Sequence, residues 1–315
     1  MAHETMDIDL VYLWVDGNDP EWLAKHNACV GKMEAKPATD CKGRYADNDE
    51  LKYSLRSIEK YAPWIHRIFI VTDNQTPAWL DTSDPKIRIV DHSEIMPAVS
   101  RPCFNATVIE HFICDIPGLA EHFLFANDDM FINRPVTPET FFAEDGLPII
   151  RFNRRPFRKF TLWYKEKVQG KKLSNYIQII RNAAELVERK YGKYYGGKSH
   201  HNIDAYLKSD CQHVERMFRK EIEPTLTNHV RSANDIQRNL FAYVALAEKR
   251  AHLHYVGQRT SFRLHIQNES HYAKLERYNP MLFCMNDSQY AGDADREREK
   301  EWLERRFPEK SRFEK

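Results

Sequence analysis

No apolar run in this chain approaches the roughly 20 residues that a membrane-crossing helix needs. The opening residues, Met-Ala-His-Glu-Thr-Met-Asp, carry neither a basic segment nor an apolar stretch. The expectation is a cytoplasmic protein, at most peripheral at the inner face of the cytoplasmic membrane. Net charge is equally scarce: 47 Lys and Arg against 46 Asp and Glu leave a formal +1. That excludes a global attraction to nucleic acid, so any polyanion site must be local. The cysteines Cys29, Cys41, Cys103, Cys114, Cys211 and Cys284 contain no Cys-x-x-Cys pair, which disfavours a zinc knuckle or a redox motif and predicts reduced, structural thiols. No internal repeat is visible.

What is present is the composition of a folded core. Hydrophobic residues make up 42% and charged residues 30% of 315 positions, enough for one large domain or two smaller ones. Hydrophobic strand-like runs at Ile8 to Val15, His66 to Thr72, Ile87 to Val90 and His122 to Asn127 end on or beside acids: Asp16, Asp73, Asp91 and the pair Asp128-Asp129. Between them lie helical patterns from Asp47 through Leu51, Leu55 and Ile58 to Ala62-Pro63, and from Asn105 to Ile116. Alternating β and α units predict a mostly parallel sheet with helices on both faces. Ligands of such sheets sit outside the carboxyl ends of the strands, so four acid-tipped strands predict one crevice. The plainer reading is that Asp favours the turns that follow strands. The pair Asp128-Asp129 points beyond it, to a divalent cation held against a phosphate.

Residues 1–150 thus read as a nucleotide-binding α/β region. Residues 151–198 change character: from 151 to 172 there are nine Lys or Arg against Glu166 alone, interleaved with Phe152, Phe157, Phe160, Trp163 and Tyr164. This segment predicts contact with an anionic acceptor or with membrane headgroups; the alternative is a solvated face with tucked-in aromatics. A helix at 174–191 closes that segment, and residues 199–315 read as mainly helical, with helices at 215–222 and 235–250. The charge-dense tail from Asp293 to Lys315 reads as an exposed helix laced with ion pairs.

Three clusters in the second half offer chemistry. Ser199-His200-His201-Asn202-Ile203-Asp204 supplies an imidazole that can act as base or nucleophile. His229-Val230-Arg231 precedes Asn234-Asp235, and its arginine can clamp phosphate oxygens. Phe283-Cys284-Met285-Asn286-Asp287 ends an apolar stretch in oxygen donors for a hard cation. Carboxylate and amide oxygens fit magnesium or manganese better than zinc.

Together these blocks resemble the Stealth family of sugar-phosphate transferases, which includes bacterial capsular polysaccharide phosphotransferases and the N-acetylglucosamine-1-phosphotransferase of animal lysosomal targeting. The resemblance rests on Asp9-Leu-Val-Tyr-Leu-Trp-Val-Asp-Gly-Asn-Asp-Pro20, on Arg44-Tyr-Ala-Asp-Asn-Asp-Glu-Leu-Lys-Tyr-Ser-Leu-Arg-Ser-Ile58, and on Asn127-Asp-Asp-Met-Phe131. It continues in His201-Asn-Ile-Asp-Ala-Tyr206 with His229-Val-Arg231, and in Cys284-Met-Asn-Asp287. It implies a Rossmann-like, GT-A-like α/β fold and a bacterial enzyme of capsule or exopolysaccharide synthesis. The implied reaction moves hexose-1-phosphate from a UDP-sugar to a glycan or lipid-linked glycan hydroxyl, with release of UMP. It also implies a nucleotide-sugar site at Asp16, Gly17, Asp19, Arg44, Asn48 and Glu50, and a magnesium or manganese site at Asp128, Asp129, Asn286 and Asp287. His201, Asp129, Arg231 and Asp235 are the implied catalytic group, with His200 adjacent to the assigned histidine. The rival readings are a metal-dependent glycosyltransferase that releases UDP and a non-catalytic glycan-binding subunit.

Overall fold

The computed structural model describes residues 6–31, 43 and 45–315. Cys41 and Arg44 lie outside the described residues. The central sheet starts with β1 (Ile8–Leu13), β2 (Ile68–Thr72), β3 (Ile87–Asp91) and β4 (His122–Asn127). All four are parallel and lie in the spatial order β3-β2-β1-β4. Their near-continuous apolar runs suit strands covered on both faces. Alternation then divides the side chains: Val11, Phe69, Val71, Phe123 and Phe125 enter one core, while Leu10, Tyr12, Ile68, Ile70, Leu124 and Ala126 enter the other.

Seven further strands follow: β5 (Met130–Ile132), β6 (Ile149–Asn153), β7 (Lys198–Ser199), β8 (Asp204–Leu207), β9 (His252–Tyr255), β10 (Ser261–His265) and β11 (Leu282–Asn286). The second half, mainly helical as expected, also supplies strands that the sequence pattern did not show. β8 joins the central sheet antiparallel to β4. β10, β11 and β5 form a second sheet, and β7, β6 and β9 a third. Strands from 199–315 thus complete a sheet begun in the first 150 residues.

Two further corrections concern helices. The pattern 105–116 forms one short α turn, Ala106–Ile109, that tightens into a 3-10 segment. The tail is packed, not free. Its helix Asp293–Arg306 buries Trp302, Leu303 and Glu299, and Phe307 and Phe313 are also buried. No described helix is long and apolar enough to cross a membrane.

The strand order reverses between β1 and β4, which places the crevice at the ends of those two strands. Helix Glu50–Tyr61 secures the region through small polar contacts: Ser54 Oγ donates to the Met130 carbonyl, and Ser57 Oγ accepts from the Ile132 amide at 3.2 Å. The same helix ties down the tail. Arg56 binds Glu314 with two bonds of 2.8 Å and donates to the Phe307 carbonyl at 2.6 Å. Both side chains of this ion pair are buried. Arg56→Ala leaves the Glu314 carboxylate buried without its partner and is expected to cost about 3–5 kcal/mol in urea unfolding; a loss below about 1 kcal/mol, the range of exposed pairs, would contradict this account of the tail.

Candidate functional site

A cleft of about 440 Å³ opens at the ends of β1 and β4. Trp14 and Val15 line it after β1, Asp73 after β2, and Asn127, Asp128 and Asp129 after β4. Asp16 and Asp91 do not line it. Asp91 instead caps the short helix His92–Ile95, accepting from the Ser93 amide at 2.8 Å. The crevice therefore gathers the ends of three of these strands but the acids of only two, Asp73 and the Asp128-Asp129 pair.

The turn after β4 is held by the second sheet. The Met285 amide donates to the Asp129 carbonyl at 2.9 Å, and Cys284 Sγ donates to Asp129 Oδ2 at 3.1 Å. A ring nitrogen of His201, a carboxylate oxygen of Asp129 and Cys284 Sγ all lie within 4.8 Å of one another. His201 reaches the cleft because β7 pairs with β6 and the chain then turns with His201 at φ 59°. This left-handed backbone is uncommon for a residue with a side chain. Ser199 Oγ supports the turn, accepting the His201 amide at 3.4 Å while donating to Asp204 at 2.7 Å. His200 points the other way, buried with Nε2 3.4 Å from Asp204.

Charge in the cleft is sharply divided. Burial, together with Glu50, Asp129 and Asp47 as like charges, pushes the Asp128 carboxyl well above its ordinary range. Burial pushes Asp129 and Asp47 up to about 6, and Glu50 up to about 8. On the opposite side, burial and the cations Arg263, Arg238 and Lys198 push His201 down to about 3. Its imidazole is therefore neutral at physiological pH, with one ring nitrogen unprotonated. Arg231 lines the same cleft, and its charge is one of those that act on the buried Glu110 carboxyl.

The chain matches Stealth protein CR1, conserved region 1, over residues 6–34, and Stealth protein CR2, conserved region 2, over residues 44–150. It is 35% identical to the exopolysaccharide phosphotransferase SCO6023 of Streptomyces coelicolor, over 98% of this chain and 52% of that protein. The chain belongs to the Stealth family. Identity to the capsular polysaccharide phosphotransferase cps1A of Actinobacillus pleuropneumoniae is 37%, over 73% of this chain and 62% of that one. The chain spans about half the length of the first of these relatives. Among solved structures, the galactosyltransferase LgtC in complex with donor and acceptor sugar analogs gives a TM-score of 0.45 at 10% identity, covering 96% of each chain.

Other expected site residues of this Stealth chain have different surroundings. Asp19 caps helix Pro20–Val30, accepting from the Trp22 amide at 2.8 Å. Gly17 lies under the Tyr45 carbonyl, where an added Cβ would come within 2.2 Å of the oxygen. It allows a close backbone crossing and does not itself line the cleft. Of the expected nucleotide-sugar set, only Glu50 lines the cleft among described residues, with Gly43 and Tyr45 on either side of Arg44. Asp235 is buried and accepts from Asn105, Asn228 and the Ser232 amide. It braces the loop that carries Arg231 and does not face the cleft. Asn286 and Asp287 both line the cleft. Both Asp287 oxygens are bound by Arg296, at 2.8 and 3.2 Å.

Sequence reading missed Glu299. It is fully buried, and Asn48 Nδ2 contacts it at 3.4 Å while donating to Glu50 at 2.9 Å. Burial and the like charges of Glu50, Asp287 and Asp129 push its carboxyl well above the ordinary range. Glu299 Oε1 and Asp129 Oδ1 are buried without a hydrogen-bond partner. Oxygen donors of this kind, with open lone pairs and mutual repulsion, fit a hard divalent cation. Asp128 and Asp129 would hold it, with Asn286 lining the same cleft.

A carboxyl raised in the folded state weakens the fold as it ionises. The loss begins above its unfolded pKa, about 4.3 for Glu, and is complete only above the folded value. Glu299→Gln is therefore expected to raise the melting temperature of the cation-stripped protein at pH 8, by about 2 °C for each kcal/mol of repulsion removed. The gain should vanish near pH 4. A melting temperature unchanged at pH 8 would contradict the buried charge repulsion.

Proposed function

We propose that this Stealth chain is a sugar-1-phosphate transferase. In this reading it moves hexose-1-phosphate, as an N-acetylhexosamine-1-phosphate, from a UDP-sugar to a glycan or lipid-linked glycan hydroxyl in capsule or exopolysaccharide synthesis. The observation that carries the reading is the meeting, in one cleft, of the Asp128-Asp129 pair with a neutral imidazole and the Arg231 guanidinium. The names of the relatives support it, since each is called a polysaccharide phosphotransferase.

The uracil ring rests against Trp22, Tyr45 and Phe104, which line the aromatic side of the cleft. Its diphosphate extends toward the ends of β1 and β4. A bound magnesium or manganese ion supplies charge neutralisation for the phosphates. His201 accepts the proton of the acceptor hydroxyl, and that oxygen forms a bond to the β-phosphorus. The bond from the β-phosphorus to the bridging oxygen breaks, and its electron pair leaves on UMP. Arg231, as a fork of fixed N–H donors, binds the equatorial oxygens that gather charge during the transfer. Asp235 acts at one remove by fixing the Arg231 loop.

A glycosyltransferase that releases UDP would share the acids, the cation and a base for the acceptor hydroxyl, so the names of the relatives, and not the base, favour the phosphotransferase. His201→Ala is expected to lower kcat by roughly 10²–10⁴ while leaving the affinity for the UDP-sugar unchanged in calorimetry. Arg231→Met should lower kcat and kcat/KM together, as loss of an interaction made in the transition state requires. An active His201→Ala enzyme would overturn the assignment.

A further inference from the structure

The segment after β6 turns its aromatic residues outward. Of the rings that the sequence interleaves with cations between 151 and 172, Phe152 in β6 is buried and the others are not. Helix Arg158–Lys167 buries Leu162 alone. Phe160 and Tyr164 stand two residues to either side of Leu162, which places them on the opposite side of the helix, and Trp163 shares their stripe. Phe157 is 82% exposed, Phe160 61%, Trp163 49% and Val168, just past the last turn, 56%. The Phe160 ring lies 5.7 Å from that of Trp163 and 6.3 Å from that of Tyr164, so the rings make one continuous patch. Ten large hydrophobic residues are exposed among the described residues, and five of them, Phe157, Phe160, Trp163, Tyr164 and Val168, belong to this patch. Single exposed apolar residues need no explanation, whereas half of the total gathered on one helix marks a binding face.

The surroundings of the patch are basic. Arg154, Arg155, Lys165, Lys167, Lys171 and Lys172 are all exposed, and no acid between 154 and 172 is. Glu166, the one acid of that stretch, is turned away from the rings and held by Arg181 of helix Asn175–Tyr191. Lys159 reaches Glu188 of the same helix at 2.6 Å. The short helix is thus fastened to the protein along the side of Leu162 and Glu166, and it presents aromatic rings framed by cations on the other.

We propose that this face docks on the surface of an anionic lipid bilayer, with the helix lying in the headgroup plane. Phe157, Phe160, Trp163 and Val168 then meet the boundary of the acyl chains, and the lysines meet the lipid phosphates. A helix of 10 residues is about 15 Å long, half of a hydrocarbon core of roughly 30 Å, so it lies on the bilayer and does not span it. Aromatic residues on one face with Lys and Arg beside them are the composition of helices that bind in this way. The long lysine stems let each ammonium reach a phosphate while its methylenes stay with the apolar patch. Charge decides against the other occupants. Lysine is depleted in interfaces between proteins, and a second copy of this chain, placed on the same patch, would set one basic face against another. A neutral glycan gives the cations nothing to neutralise. The docking does not depend on the reaction assigned to the cleft, and its test measures binding alone.

The test is flotation of the full chain with phosphatidylcholine vesicles, with and without phosphatidylglycerol, and with acyl chains that carry bromine as a quencher. The wild type should float with the phosphatidylglycerol vesicles, less so at high salt, and should stay behind with phosphatidylcholine alone. Lys165→Gln combined with Lys167→Gln should lower the vesicle affinity by about fivefold for each cation removed. Phe160→Ala combined with Trp163→Ala should lower it by about tenfold for each ring no longer withdrawn from water. Trp163 is the one exposed tryptophan among the described residues. Brominated chains should therefore quench the tryptophan fluorescence of the wild type, and Trp163→Phe should remove that quenching while the protein still floats. Failure of the wild type to float, equal binding to the two lipid mixtures, undiminished binding by either double variant, or unquenched fluorescence on brominated vesicles each overturns the docking. So does calorimetric binding of a neutral oligosaccharide that Trp163→Ala abolishes, in a protein that does not float, which would make the face a glycan site.

Discussion

The structure depends on a concentration of buried acid whose carboxylates form no ion pair with a cation among the described residues. Asp47, Glu50, Asp128, Asp129 and Glu299 converge beneath the reversal point between β1 and β4, and each has its carboxyl pushed upward by burial and, for most, by its neighbours. Acids in such a place either keep protons or wait for a cation. The surrounding architecture can be read as the means of holding them there. The central sheet brings Asp128 and Asp129 to a strand end, helix Glu50–Tyr61 supplies Glu50 at its first position, and the C-terminal helix inserts Glu299 from the far side.

The second half of the chain supplies the opposite charge, and keeps it apart. Asp204 sits at the start of an edge strand between Arg238, Ser199 and His200. Although burial opposes it, those contacts hold its carboxyl well below the ordinary range. This fixed anion orients Ser199, and Ser199 supports the strained turn on which His201 stands. The result is a neutral base within 4.8 Å of a carboxylate that retains its proton more readily than usual. Two groups with pKa values displaced in opposite directions are the usual arrangement of a site built for proton transfer.

Much of this was legible in the sequence, for identifiable reasons. The strand His122–Asn127 and the helix from Glu50 to Tyr61 follow from long, unambiguous patterns. The pairing of Asp128-Asp129 with His201, Arg231 and Asn286-Asp287 in one cleft follows from the motif resemblance. The strands of the second half were missed because they have two to five residues, too few to show a period. Its sheet partners are also distant in sequence. Asp19 and Asp91 illustrate turn chemistry that outweighs site chemistry: both cap helices. Glu299 was invisible for the opposite reason. It lies in a helix where nearly every residue is charged, and only packing shows which acid turns inward.

The central claim is that the cleft directs attack to phosphorus and not to the sugar carbon. Tracing a UDP-sugar labelled with ³²P at its β-phosphate tests it most directly, in a reaction with the purified protein, magnesium and a glycan acceptor. The account predicts that the label moves into the glycan and that unlabelled UMP is released. Label recovered in UDP, with an unlabelled glycan product, would mean that the sugar alone is transferred and that His201 and Arg231 do not act on phosphorus.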